Sequence, residues 1–283
     1  MRPAAGLGQE SAAVIEVEGL VKRYGAQLAV DGVDLRARAG EVVALLGPNG
    51  AGKSTTIRAI TGLLRPTAGR VLVCGHDVVR APLAAKARLG YVPDRPFLYP
   101  KLTARELLRF IGRLRSVDDG DRRADAWLEA FALTPVANEL IETYSHGMRQ
   151  KLTFAAALLA EPEVLVVDEP MVGLDPRAAR QVRDLMRGHA DRGHTVLLTT
   201  HAMDVAEALA DRVVVLHRGR VAAEGAMAEL RAAAGTGEED LEAIFLRLTE
   251  EATEGPPPWG AAAADGAARS DRPAAPHGRG RWG

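Results

Sequence analysis

The chain has a single cysteine, Cys74, in 283 residues. One thiol excludes an internal disulfide, and a reducing cytosolic setting is the simplest reading. Long apolar runs are missing as well. No stretch approaches the roughly 18 to 20 uninterrupted apolar residues that span a bilayer. The opening MRPAAGLGQESAA has no apolar core of signal-peptide length. The sequence therefore predicts a protein soluble by itself, whose membrane role, if any, comes through a partner. A charge excess is absent too. The 36 Lys and Arg balance 37 Asp and Glu, net −1, which argues against general attraction to nucleic acid. There is no internal repeat. With 47% hydrophobic residues, the chain is still long enough to bury one large core or two small ones.

What is present alternates. VIEVEGL (14–20) and VDGVDLRARAG (30–40) read as half-buried strands. EVVALLG (41–47), EVLVVDEP (163–170) and HTVLLTTH (194–201) are continuous apolar runs, as in strands buried on both faces. DRVVVLHRGRVAAEG (211–225) reads as a hairpin, and 176–190 and 202–210 as helices. Strands alternating with helices imply an α/β fold with a largely parallel central sheet. Residues 101–160 carry almost no strand signal. A capping box, Thr103 to Glu106, opens one helix. ADAWLEAFAL (124–133) is a second, and SHGMRQKLTFAAALLA (145–160) a third with Met148, Leu152, Ala156 and Leu159 on one face. DLEAIFLRLTE (240–250) is an amphipathic helix. The Gly-, Ala- and Pro-rich tail after it cannot bury enough apolar surface to order itself.

GPNGAGKST, Gly47 to Thr55, follows a buried strand and precedes a helix-compatible segment. It fits the P-loop pattern. Gly47, Gly50 and Gly52 let successive backbone N–H groups of the loop wrap a polyphosphate, and Pro48, Asn49 and Ala51 are expected to bind it with them. Lys53 reaches its outer phosphates, Ser54 offers a hydroxyl to Mg²⁺, and Thr55 is expected to bind the ATP with them at the helix start. A P-loop alone says only nucleoside triphosphate. Asp168, at the end of VLVVD, is placed to hold Mg²⁺ through an ordered water, and Glu169 to polarise an attacking water. Against this stands the bland alternative of a solvated Asp-Glu turn, which the apolar LVV run and the upstream P-loop disfavour. His201 ends a third buried strand. It either caps the next helix or contacts the γ-phosphate and the water at Glu169; the shared sheet edge favours the second. The other six histidines, His76, His146, His189, His194, His217 and His277, have no metal-ligand spacing and read as surface residues.

With these motifs in order, about residues 14–250 resemble the ATP-binding cassette (ABC) ATPase family. Tyr24 in KRYG matches the aromatic residue that stacks on adenine. GPNGAGKST is similar to the Walker A loop, VLVVDEP to Walker B, GLDP (173–176) to the D-loop, and His201 to the switch histidine. YSHGM corresponds to the signature motif, usually LSGGQ, and keeps only its Ser145 and Gly147. Such variants, like the LEAIFLRLT segment, look like those of exporters whose cassette is a separate chain from the permease. Asp94, in YVPD, stands where many cassettes carry a glutamine that joins the Mg²⁺ shell and senses the permease. A carboxylate is an equally hard ligand but one methylene shorter, so direct and water-mediated contact both stay open.

The resemblance implies a P-loop NTPase fold. Its ABC-type nucleotide-binding domain has a RecA-like core, an N-terminal antiparallel β subdomain and a helical insert over about 95–160. Residues 1–13 are expected to be flexible and 251–283 to be a disordered tail. It further implies that two cassettes, as a homodimer or heterodimer, clamp two ATP molecules with Mg²⁺. Ser145, His146 and Gly147 would serve the partner's ATP, and Asp175 would link the two sites. Glu169, His201 and Lys53 are the expected catalytic residues. An integral-membrane permease is the expected partner, with the cassette peripheral on the cytoplasmic face of the membrane. The alternative is a soluble ABC ATPase acting on nucleic acid or ribosomes. One P-loop, no heptad run and no basic excess count against it. A non-catalytic regulatory cassette conflicts with intact Lys53, Asp168, Glu169 and His201. The tail is expected to be a solvated extension; a docking arm using Arg279, Arg281 and Trp282 is the sharper alternative.

Overall fold

The computed structural model describes residues 13–233 apart from position 172. The helix expected over 240–250 and the tail beyond it lie outside these residues, as does His277.

Two sheets share the work. The first is antiparallel, in the order β2 (Gln27–Arg38), β1 (Ala13–Tyr24), β4 (Ala68–Val73), β5 (His76–Asp77). Its long hairpin alternates buried and open positions, with Val30, Val33, Leu35 and Ala37 turned inward. The period of two is what a sheet with one covered face requires. The second sheet has the order β10 (Arg220–Gly225), β9 (Arg212–His217), β3 (Val42–Leu46), β8 (Thr195–Thr199), β7 (Val164–Asp168), β6 (Leu89–Val92). All its pairings are parallel except β10 with β9. Every residue of β3, β7 and β8 is buried.

The buried strands divide their side chains between two cores. Val42, Ala44 and Leu46 face one, packed with the helices; Val43 and Leu45 face the other, shared with the antiparallel sheet and α1 (Lys53–Ile60). Continuous apolar runs are therefore required, because both faces are covered. Between β4 and β6 lies a short α2 (Pro82–Ala87).

The segment between β6 and β7 is helical, as the sequence predicts. It contains α3 (Ala104–Leu114), α4 (Gly120–Ala130) and α5 (His146–Leu158). The Thr103–Glu106 capping box is present, each side chain bonded to the other's backbone amide. α4 begins one turn earlier than expected. α5 buries Leu152, Phe154, Ala155 and Leu158, while Met148 and Ala156 are only half-buried, so its inner face is rotated from the expected stripe. After β7 come α6 (Pro176–Asp191), α7 (Met203–Leu209) between β8 and β9, and α8 (Met227–Ala233).

One expectation about the histidines is corrected. His189 is 1% exposed, on α6, with its ring stacked on His194 at 4.5 Å. Burial, with His194 and Arg192 adding to it, pushes its pKa down to about 4. It is a neutral core residue at neutral pH, not a surface one.

Candidate active site

The order β3-β8-β7 makes three neighbouring parallel strands end side by side. The loop after β3 begins at Gly47, β7 ends in Asp168 and Glu169 follows, and His201 lies two residues beyond β8. Open sheets place ligands at this edge of the strands.

The loop from Gly47 to Gly52 turns tightly into α1. Gly50 and Gly52 have φ of 83° and 107°, conformations that disfavour other residues. A Cβ at Gly52 would also lie 2.8 Å from the Ala29 carbonyl oxygen. No side chain caps α1. The amides of its first turn thus have no side-chain partner at the positive end of the helix, which suits an anion. Ala51 is buried at the back of the loop, where its carbonyl accepts from the Gly219 amide at 2.9 Å. Lys53 is 7% exposed, and its ammonium donates to the carbonyls of Gly47 (2.6 Å) and Pro48 (3.3 Å). Burial lowers its pKa, against the pull of Glu169 and Asp168.

A cleft of about 440 Å³ opens on this loop. Pro48, Asn49, Gly50, Gly52, Lys53, Ser54 and Thr55 of the loop line it, together with Asp94, Asp168 and Glu169. Tyr24, at the end of β1, stands at its mouth together with Gln27, Leu28 and Ala29. The Lys22 ammonium lies 5.2 Å from the centre of the Tyr24 ring. A flat aromatic face beside a glycine-rich anion cradle suits a nucleotide with its base and phosphates apart.

The acidic wall has its own chemistry. Asp168 is 3% exposed. Burial raises its pKa and the charges of Asp94 and Glu169 add to the rise, while a hydrogen bond from Thr199 opposes it. The Thr199 hydroxyl donates to the Asp168 carboxylate and accepts from the Glu169 amide at 3.2 Å. The sequence reading missed Thr199 and the β2 residues of the cleft. Its signal was a pair of threonines closing an apolar run, opposite Asp168 in the β7–β8 register. Glu169 has φ of 51°, unusual for a side chain of its kind. Its Oε2 lies 2.9 Å from His201 Nδ1.

The donor set fits Mg²⁺ with a triphosphate. Among the described residues no three His, Cys, Asp or Glu side chains make a ready metal cage. Mg²⁺ does not need one, since it takes one or two carboxylates or hydroxyls and fills its shell with water and phosphate oxygens. Ser54 and the buried Asp168 supply that kind of donor, and both line the cleft.

The ABC transporter family model matches residues 30–172. The chain belongs to the ABC transporter family. A daunorubicin resistance ATP-binding protein of Streptomyces coeruleorubidus is 47% identical over 225 residues, covering 78% of this chain and 71% of that protein. A Nod factor export ATP-binding protein I of Paraburkholderia xenovorans is 41% identical over 220 residues, 77% of this chain and 72% of that one. Among solved structures, an ATP-binding subunit of an ABC transporter aligns with a TM-score of 0.79 and 34% identity, covering 83% of this chain and 99% of that one. A dimeric ATP-binding cassette in a post-hydrolysis state, bound to ADP and Pi, aligns at 0.70 and 26%, covering 75% and 98%. This chain is accordingly an ABC ATP-binding subunit that hydrolyses ATP.

Not every expected site residue of this ABC subunit meets at the cleft. Ser145, His146 and Gly147 form the start of α5 and do not line it. Ser145 and His146 are exposed. The Ser145 hydroxyl caps α5 by accepting from the Met148 amide at 3.2 Å. Tyr144, where the family has leucine, is buried, and its hydroxyl donates to the Val136 carbonyl at 2.7 Å. The Tyr144 carbonyl in turn accepts from Arg149 at 2.6 Å. Asp175 caps α6: its carboxylate accepts from the amides of Ala178 (3.0 Å) and Arg177 (2.9 Å), which hold its pKa below the ordinary carboxylate value against desolvation.

Proposed function

We propose that this chain is the ATPase subunit of an exporter, acting as a clamp of two cassettes on a separate membrane permease. The observation that carries it is the convergence of the Gly47–Thr55 loop, Asp168–Glu169 and His201 on one sheet edge, with Glu169 held 2.9 Å from His201. ATP is the substrate. Tyr24 stacks on its base, and the amides of Gly50 to Thr55 with the Lys53 ammonium hold its phosphates. Ser54 and Asp168, with Asp94 directly or through water, would hold Mg²⁺, which supplies charge neutralisation on the phosphates. Glu169 takes a proton from a water molecule. The water oxygen bonds to the γ-phosphorus as the bond to the β-bridging oxygen breaks, and ADP leaves with that electron pair. His201 orients the Glu169 carboxylate.

The cleft is open on one side, whereas hydrolysis needs the γ-phosphate enclosed. The exposed N-terminus of α5, with Ser145 and Gly147, suits a lid for the ATP of a second cassette. The likeness to a dimeric cassette with ADP and Pi supports this reading. Asp175 would sit at the seam between the two sites.

A second cleft of about 660 Å³ supports the permease reading. Tyr91, Phe97, Tyr99, Leu107 and Ile111 line it between β6, α3 and α5, and Phe97 is 92% exposed. Asp94 lines both clefts. Among the described residues no helix is long and apolar enough to cross a membrane; in this reading a separate membrane-spanning partner carries the transport path. A loop or helix of that partner in this groove would feel the nucleotide through Asp94. The cassette would then sit on the cytoplasmic face of the membrane. Relatives of that kind, and a balanced charge, favour this over action on nucleic acid.

The test is Glu169→Gln. Loss of the proton acceptor should cut turnover by about 10²- to 10⁴-fold while ATP still binds. Turnover at the wild-type rate would remove Glu169 from the mechanism.

A further inference from the structure

His146 stands in the signature segment where the family pattern has glycine, and the fold gives its side chain a local neighbour. The imidazole lies against Gly173, in the loop between β7 and α6 of the same chain. A Cβ added to Gly173 would come within 2.7 Å of His146 Cδ2 and 2.9 Å of Nε2. Gly173 also has φ of 74°, so two independent constraints keep a side chain away from that position. One residue on, a Cβ at Gly147 would meet Leu174 Cδ2 at 4.0 Å. The start of α5 thus rests on the two residues that lead into Asp175, the cap of α6.

We propose that His146 is a positioning residue: its ring braces Gly173 and so couples the start of α5 to the loop that carries Asp175. The proposal deepens the cassette reading above and rests on it. The two elements expected to meet a second cassette, the signature segment and the D-loop, are then not independent in this chain. They move as one unit because a side chain too large for the usual glycine fills the gap between them. The fit is reciprocal. A large residue at 146 needs a glycine at 173, and a glycine at 146 leaves room for a small side chain at 173. Adjacent groups that compete for one space give strong non-additivity, whereas separated sites add.

The experiment is a double-mutant cycle on the full chain: wild type, His146→Gly, Gly173→Ala and the double variant, compared by kcat and by the ATP concentration at half-maximal rate. The strain of alanine at positive φ is common to both backgrounds and cancels. The clash with the ring does not cancel. Gly173→Ala should lower kcat about tenfold more with His146 present than in the His146→Gly background, a coupling of about 1.4 kcal/mol. Neither residue lines the cleft of its own chain, so the coupling should appear in kcat. Equal losses in both backgrounds would overturn the proposal. A second readout needs no catalysis. The Leu174 amide donates to the Met171 carbonyl at 3.3 Å, so its hydrogen exchange reports the loop. His146→Gly should raise that exchange several-fold and leave the amides of β7 unchanged. Unchanged exchange at Leu174 overturns the brace. A wild-type protein without ATPase activity would instead refute the cassette reading, and the exchange measurement would still decide the brace.

Discussion

Replacing Thr199 by valine keeps the shape of a fully buried side chain and removes one hydroxyl. That hydroxyl is a donor to the Asp168 carboxylate and an acceptor for the Glu169 amide. The amide has a second acceptor, the Thr199 carbonyl at 3.1 Å, so the loss falls on Asp168. A hydrogen bond to a charged group contributes about 1.5 to 3 kcal/mol. Urea unfolding at neutral pH should therefore show Thr199→Val destabilised by about that amount. The bond favours the charged carboxylate, so the deficit should shrink as pH falls through the raised Asp168 pKa and the group protonates. The hydroxyl also orients Asp168. Partners of this kind are worth about 10- to 100-fold in metal affinity, so the Mg²⁺ needed for half-maximal hydrolysis should rise by about that factor. Thr199→Ser should restore both. A valine variant with wild-type urea stability and wild-type Mg²⁺ requirement would show that the hydroxyl neither stabilises nor orients Asp168.

Three more outcomes are expected. Lys53→Ala should abolish measurable ATP binding in calorimetry, and unchanged affinity would contradict the cradle. Tyr24→Ala should weaken ATP binding by about 1 to 3 kcal/mol, the worth of one base–aromatic stack, with kcat nearly kept; equal binding of ATP and inorganic triphosphate by the wild type would count against stacking. Asp168→Asn should make the nucleotide-free protein more stable to urea at neutral pH while losing Mg²⁺-dependent hydrolysis. The sign follows from a raised carboxyl pKa. The folded state binds more protons than the unfolded one between the ordinary and the raised value, so this group's penalty grows as pH rises through that window and is complete above it. The advantage of asparagine should vanish below that window.

The continuous apolar strands and the Gly47–Thr55 loop were legible because each has a local cause: burial on both faces, or backbone approach to phosphate. β4, β5 and β6 were not assigned from the sequence. Each is short, at most six residues, and β4 is a strand only because it pairs with β1 across more than forty intervening residues. The start of α4 was hidden in the polar DDGDRR, where no side chain caps the helix. His189 was readable in hindsight: with Val182 and Met186 it falls at helical spacing on the buried face of α6. The threonine pair closing HTVLLTTH was a weak signal for Thr199, whose value comes from lying opposite Asp168 in a strand register that only tertiary pairing fixes. The nearness of the His146 ring to Gly173 of the same chain was not legible either, because it arises between segments that only the fold brings together.

The central claim is that ATP closes two of these chains on each other. The direct measurement is the molar mass in solution of Glu169→Gln, with ATP and Mg²⁺ and then with ADP. The expected result is a two-chain species holding two ATP molecules, which reverts to single chains in ADP and which a Ser145→Arg substitution abolishes. A wild-type protein that hydrolyses ATP at full rate as a single chain would contradict it.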